Sequence, residues 1–516
     1  MVTKVSSIGL RGMEGYRIQV EVHVMEGQPS FTIIGLPDLA VKESRERVLS
    51  TLSVMNCDVS NEKVIVQLSP PEQRKMGPFF DIAIALAILK EKDQIKVNFD
   101  EDTAFVGSLR LDGTIQSVDG LLPSVLAAKH LGFKKLYIPT TLDLPLASVP
   151  DLEICPIHDV NECLGHLEGQ NCLSFTKRDD SYLSVVAEQD NRNDFAHIIG
   201  QEQAKRAMTI AASGGHHLFM TGPPGCGKTL LAETYPSILP PLTDEQFLEM
   251  ISIYQMTNTT PPSGHSAPFR APHHSSSYVS LVGGGSNPRP GEASLAHHGV
   301  LFLDELPEFT KKTLDMLREP LESGQVHISR AVGTVSYPAR FQLITAMNPC
   351  PCGYHGAKKR YCTCSPKEIQ KYVNRISGPL LDRFDIFLPL VPVSMNHITK
   401  NNTTSTDLST HVAEVRQIQK VRYGSDVLNA NVSLDLLKSV GNITDHQIKI
   451  IATCAQKQQW SNRVQVKILR LARTIADLNN EEAVTDESLW EAMTYQRNPL
   501  TKKDRLSVVY NDNVTN

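Results

Sequence analysis

A strand, a glycine-rich loop and a helix follow one another near the middle of the chain, and they limit its fold more than any other feature. His217-Leu-Phe-Met220 reads as a short buried strand. Thr221 then leads into Gly222-Pro223-Pro224-Gly225-Cys226-Gly227-Lys228-Thr229. That run satisfies G-x-x-x-x-G-K-[ST] at every fixed position. The glycines let successive backbone N–H groups converge on phosphate oxygens. Lys228 can reach the β- and γ-phosphates, and Thr229 can offer a hydroxyl to Mg²⁺. Leu230 to Tyr235 should continue as a helix whose amino end favours anions, with Pro236 stopping it. The expected fold class is α/β, with ATP and Mg²⁺ as cofactors.

Two more apolar runs end in polar side chains. Val300-Leu-Phe-Leu303 is continuously apolar, as a strand buried on both sheet faces should be, and it ends at Asp304-Glu305. In a P-loop ATPase such an aspartate holds Mg²⁺ through water, and the glutamate orients or polarises the attacking water. The other reading is a carboxylate pair capping the next helix. Phe341 to Met347 forms a third strand that delivers Asn348. An amide there could hold the lytic water from the opposite side, although Asn-Pro alone is a turn signal.

Composition sets outer limits. At 516 residues there is room for two to four domains, and 41% hydrophobic with 21% charged residues suits a soluble globular protein. The longest apolar run, Ile82 to Leu89, is far too short to span a bilayer. The start, MVTKVSSIGLRG, has no apolar signal region, so a cytoplasmic protein without membrane partners is expected. A net charge of −5 argues against indiscriminate wrapping of nucleic acid, but not against a local basic strip.

In a reducing compartment clustered cysteines point to metal more than to disulfides. Six cysteines are single (Cys57, Cys155, Cys163, Cys172, Cys226, Cys454), and four form two C-x-C pairs, Cys350/Cys352 and Cys362/Cys364. Four thiolates suit tetrahedral Zn²⁺; unligated thiols or an iron–sulfur cluster are the alternatives. From Tyr354 to Arg375 the chain carries Lys358, Lys359, Arg360, Lys367, Lys371 and Arg375 against one acid, Glu368. This basic stretch would suit DNA phosphates, or it is a solvated face.

Residues 1–175 read as a mixed α/β domain. Its β-rich runs are Tyr16–Val24, Phe31–Ile34 and Val64–Leu68; its helices run from Asp38 through Leu49 and over the apolar Ile82–Leu89. Glu43 and Arg47 stand at the i,i+4 spacing of a solvated helix face. The polar stretch 176–194 reads as a linker, 195–398 as the ATPase domain with a cysteine-rich loop at 349–365, and 411–505 as a helical lid. In the lid Ile468, Leu471, Ala472 and Ile475 mark one buried face. Three units are the simplest parse.

In this order Asn348 resembles the sensor 1 position of AAA+ ATPases. Gly378-Pro-Leu-Leu-Asp382-Arg383-Phe384 resembles their arginine-finger segment, with an internal ion pair to Asp382 or Asp385 as the alternative for Arg383. Arg463, seven residues before Arg470 and on the same helix face, resembles a sensor 2 arginine. The runs Arg270-Ala-Pro-His-His, Gly283-Gly-Gly and Pro290-Gly-Glu-Ala-Ser-Leu-Ala-His-His-Gly-Val-Leu-Phe-Leu-Asp-Glu-Leu-Pro-Glu-Phe309 are similar to magnesium-chelatase-like AAA+ proteins, more narrowly the ComM/YifB group. Gly35 to Val48 and Ala472 to Leu478 support the same group. The resemblance implies a ring, expected to be hexameric, with an insert and a hairpin directed at a pore, acting as a DNA helicase that drives branch migration in natural transformation. A chelatase-type or protein-remodelling ATPase without a DNA role is the alternative. Pore candidates are Leu281–Gly291 and the hairpin at Ser329–Gly333, where Arg330 would contact phosphate or be a solvated turn residue.

The amino-terminal part resembles the proteolytic domain of Lon, where a serine follows Gly-Pro and a lysine follows a Gly-Gly-Leu-type turn. Here Phe79 follows Gly77-Pro78, and Leu122 follows Asp119-Gly-Leu. Neither side chain can attack a peptide or accept a proton, so a Lon-like fold without protease activity is expected.

Overall fold

The computed structural model describes residues 3–140, 151–170, 194–257, 259–285, 288–330, 333–356, 360–393, 403–497 and 500. The linker 176–193 lies outside these residues. The chain forms two compact units, where the sequence suggested three. The first takes residues 1–186 with 243–261 and 327–337, and the second takes the remainder. The carboxy-terminal helices therefore belong to the same unit as the ATPase core.

In the first unit β1 (Thr3–Arg11) and β2 (Glu14–Glu26) form an antiparallel hairpin. Then come β3 (Ser30–Ile34), α1 (Leu39–Val54), β4 (Glu62–Ser69) and α2 (Asp81–Glu91). β5 (Thr103–Phe105), the small ladder β6 (Ser108–Leu109) and β7 (Ile115–Gln116), and α3 (Leu121–His130) follow. β8 (Lys135–Pro139), β9 (Glu153–Ile157) and α4 (Val160–Leu167) complete the run. A mixed sheet orders its strands β3-β4-β2-β1-β5-β8-β9. α2 is apolar on every face, so it is buried from Asp81 to Leu89.

Arg47 does not serve a solvated pair with Glu43. Its Nε reaches the fully buried Asp81 at 2.6 Å, and Asp81 also accepts from Ser108 Oγ (3.1 Å) and Leu109 N (3.0 Å). A buried carboxylate with three donors is tolerable where an unpaired one is not. Phe79 and Leu122 are both buried and bring no nucleophile or base to the surface.

The second unit begins with α5 (Glu202–Gly214), β10 (Leu218–Thr221) and α6 (Lys228–Thr234). Pro236 lies in a 3₁₀ turn, Tyr235–Ile238, that directly continues α6. α7 (Asp244–Thr257) falls within 243–261 and so counts with the first unit. β11 (Phe269–Arg270), α8 (Tyr278–Val282), the ladder β12 (Gly283–Gly284) and β13 (Arg289–Pro290), α9 (Glu292–Leu295) and β14 (Val300–Leu303) follow. Next are α10 (Lys311–Met316), α11 (Arg318–Ser323), the two-stranded ladder β15 (Gln325–Arg330) and β16 (Gly333–Pro338), whose residues 327–337 count with the first unit, and β17 (Gln342–Met347). α12 (Pro366–Val373), α13 (Gly378–Leu381) and β18 (Ile386–Pro389) close the core. The helical part comprises α14 (Ser405–Tyr423), α15 (Leu434–Val440), α16 (Asp445–Gln458), α17 (Asn462–Leu478) and α18 (Asp486–Tyr495). Ile468, Leu471, Ala472 and Ile475 of α17 are fully buried, on the face their spacing predicts.

The core sheet runs β11-β14-β17-β10-β18 and its pairings are all parallel. β10, β14 and β17 are buried at every residue, which explains their uninterrupted apolar sequence. Thr221 pairs with Met347 and Leu303 with Thr345, so the carboxyl ends of three strands open at one crevice. In open parallel sheets that is where ligands bind.

The amino-terminal strands and helices hold the two inserted segments closely. Gln255 of α7 accepts the Leu122 N–H at 3.3 Å. At Gly12, whose φ is +64°, a Cβ would meet Val335 at 2.4 Å. No described helix is long and apolar enough to cross a membrane.

Candidate active site

The phosphate loop links β10 to α6. Gly225 (φ +78°) and Gly227 (φ +91°) take backbone conformations that L side chains avoid, and a Cβ at either would meet nothing within 4 Å. The loop thus curls around an open hollow. Lys228 is buried beneath it, and its ammonium donates to Gly222 O (2.7 Å), Pro223 O (3.1 Å) and Asn348 Oδ1 (3.1 Å). Asn348, at the end of β17, is therefore at the loop, as its strand position suggested. Gln201, which the sequence reading missed, donates to Cys226 O (3.2 Å) and Val391 O (2.8 Å). It braces the loop from outside the motif.

Asp304 Oδ2 accepts from Thr229 Oγ1 at 2.9 Å, and its Oδ1 accepts the Glu305 N–H at 2.8 Å. The hydroxyl and carboxylate that a Mg²⁺ site needs are already adjacent, so these residues fit the ion. Glu305 has φ +50° and ψ +45°, the left-handed region. A non-glycine residue there carries about 1–2 kcal/mol of strain, a cost associated with functional sites. Its carboxylate lies 3.5 Å from His274 Nδ1. Thr229, Asp304, Glu305, Glu233 and His274 line a cleft of about 280 Å³.

Arg383 and Arg463 meet elsewhere. Arg383 precedes β18, at the amino end of a strand parallel to β10, whereas the phosphate loop follows the carboxyl end of β10. Its guanidinium pairs with Glu322 of α11 rather than with Asp382 or Asp385. Its Nε and Nη1 are buried with no hydrogen-bond partner among the described residues. Arg463 donates to the same Glu322 at 2.7 Å. The Arg463 bond, with Arg383 and Arg318 close by, holds the Glu322 carboxyl below the usual carboxylate range. Neither Glu322 nor its double role carries a sequence signal.

The four clustered cysteines converge just beyond Asn348, their Sγ atoms all within 4.8 Å of one another. Cys350–Cys352, Cys352–Cys362 and Cys350–Cys362 are separated by 3.3, 3.5 and 3.7 Å. Four thiolates about 2.3 Å from a central Zn²⁺ would stand about 3.8 Å apart, so the cluster fits a tetrahedral ion. The Tyr354 N–H holds the Cys352 thiol down to about 6. A Cβ at Gly353 would strike Pro224 at 2.7 Å, so this knuckle lies directly on the phosphate loop.

Arg360 donates to Tyr354 Oη at 2.5 Å, and Lys367 and Lys371 are exposed. Arg375 instead pairs with Glu308 at 2.8 Å. Lys358, Lys359 and the side chain of Arg330 lie outside what is described.

The crevice, its lysine, its paired hydroxyl and carboxylate and its strained glutamate define a nucleotide-hydrolysing P-loop core of the AAA+ class. Three family descriptions match along the chain: "Subunit ChlI of Mg-chelatase" over residues 20–141, "Magnesium chelatase, subunit ChlI" over 194–398 and "Magnesium chelatase, subunit ChlI C-terminal" over 402–496. Competence protein ComM of Haemophilus influenzae is 39% identical over 491 residues, 94% of this chain and 95% of its own length. Uncharacterized protein YifB of Escherichia coli is 37% identical over the same shares. The chain belongs to the ComM/YifB-type, magnesium-chelatase-like family of AAA+ ATPases.

Proposed function

We propose that this protein is a ring-forming, ATP-driven motor on DNA, a helicase or translocase that promotes branch migration during natural transformation and recombination. Likeness along nearly the whole chain to a competence protein carries the reading. Exposed Lys367 and Lys371 beside the cysteine knuckle support it. Lys358, Lys359, Arg360 and Arg330 are the further residues proposed to meet DNA phosphates.

In the proposed mechanism the loop N–H groups and Lys228 hold the ATP phosphates, while Thr229 and Asp304 hold Mg²⁺. The ion, when bound, neutralises charge developing between the β- and γ-phosphates. Glu305 polarises the attacking water, and Asn348 orients it from the other side. Arg383 stands at the far end of the sheet from its own loop, so its proposed role is to reach the nucleotide of a neighbouring subunit. Its unsatisfied Nε and Nη1 suit a group awaiting an anion. Arg463, held by the same Glu322, is proposed to act beside it. The assembly is expected to be a hexamer with Zn²⁺ in each cysteine knuckle. The amino-terminal unit is taken as a Lon-like fold without its serine and lysine, used for assembly or DNA handling.

The test is the ATPase rate with and without single-stranded and branched DNA, alongside Glu305→Gln. Strong stimulation that vanishes in Glu305→Gln is expected. Robust hydrolysis indifferent to every DNA would overturn the DNA reading and favour a chelatase-type or protein-remodelling motor.

A further inference from the structure

The Arg270-Ala-Pro-His-His run has no place in the phosphate loop or the Mg²⁺ site, yet the fold brings its last residue to the catalytic carboxylate. β11 pairs with β14 in the register Arg270↔Leu301, three residues before Asp304. Arg270 clamps this strand with a bidentate ion pair to Glu292, at 2.6 and 2.9 Å. The segment is thus fixed four residues upstream of His274. On its other side the His274 ring lies against His273, centroids 4.0 Å apart, and His273 Nδ1 is engaged by Ser275 Oγ at 2.8 Å. His274 Nδ1 then faces Glu305 Oε2 at 3.5 Å.

We propose that His274 is a positioning residue for hydrolysis, holding the Glu305 carboxylate over the cleft in the orientation that polarises water. The inference rests on reading the site as an ATPase. At 3.5 Å the contact is looser than a hydrogen bond, and because an ionised carboxylate can only accept, closing it to one would make His274 Nδ1–H the donor. Engaging one oxygen leaves the other free for water. The need is physical. The Glu305 side chain is 51% exposed, and an untethered carboxylate there would sample several rotamers, most of them unproductive. A misplacement of about 1 Å at a reacting group can cost 10²-fold in rate.

The experiment compares full-length unsubstituted protein, Glu305→Gln, His274→Ala and His274→Asn. Asparagine keeps an N–H donor near the place of Nδ1. Steady-state ATPase, affinity for a non-hydrolysable ATP analogue and thermal midpoint are measured for each. His274→Ala is expected to lose about 10- to 100-fold in kcat, as loss of an orienting partner typically does. KM and analogue affinity should stay within about twofold, and His274→Asn should recover most of kcat. An unchanged kcat overturns the proposal. So does a loss matched by weaker analogue binding or a lower midpoint, or one that asparagine fails to relieve. If the unsubstituted protein does not hydrolyse ATP at all, the ATPase reading falls, and this inference falls with it.

Discussion

His217, one residue before β10, shows how a single side chain can tie stability to pH. Its Nδ1 accepts the Leu343 N–H at 3.0 Å, which only the unprotonated nitrogen can do. Burial pushes the imidazole down to about 4. The unfolded chain, titrating near 6.5, takes up the proton first as pH falls. Stability from this residue is therefore complete above about pH 6.5 and lost toward pH 4, on the order of 3 kcal/mol. Asp385 adds nothing in that window. Burial alone would raise its carboxyl, but Lys467, His216 and His217 hold it well below the ordinary range. In His217→Asn the thermal midpoint should fall less between about pH 7 and pH 4.5 than in the unsubstituted protein. Equal slopes would show that the pH dependence arises elsewhere.

Among the elements, the cysteine knuckle is where sequence and geometry meet most directly. Purified protein is expected to carry one zinc per chain by elemental analysis, and Cys362→Ser should lose it. Because Gly353 lies on Pro224, that substitution should also weaken ATP binding, measured with a fluorescent nucleotide. Unchanged metal content would remove the zinc assignment. The knuckle was legible because four thiols of one kind stand within fifteen residues, and the phosphate loop because its chemistry is local and its glycines are obligatory. The i,i+4 rule misread Arg47, since it sees only neighbours on one helix, whereas Asp81 comes from another. Glu322, Gln201 and the His274 contact were invisible for the same reason. Each is an ordinary residue given its role by a partner distant in sequence.

At the scale of the whole molecule, the distance between a subunit's own phosphate loop and its Arg383 makes a prediction about mixtures. Lys228→Ala and Arg383→Ala should each be inactive alone. Mixed one to one, they should regain activity wherever an intact loop from one variant meets an intact arginine from the other. Random assembly would make this about a quarter of the interfaces. No recovery in the ATPase assay, with mixed rings verified by mass, would argue that Arg383 does not act between subunits.

The placement of residues 243–261 and 327–337 with the amino-terminal unit has a consequence for how this chain can be divided. The segments of its two compact units alternate along the chain, so no single cut separates them. A fragment starting near residue 194 would keep α7 and the β15–β16 tip but lose the floor under Gln255 and Val335. It should be poorly soluble, however good its ATPase core. The same alternation acts on inheritance: a crossover at the linker would join a foreign amino-terminal unit to inserts shaped for another, so these three stretches must change together.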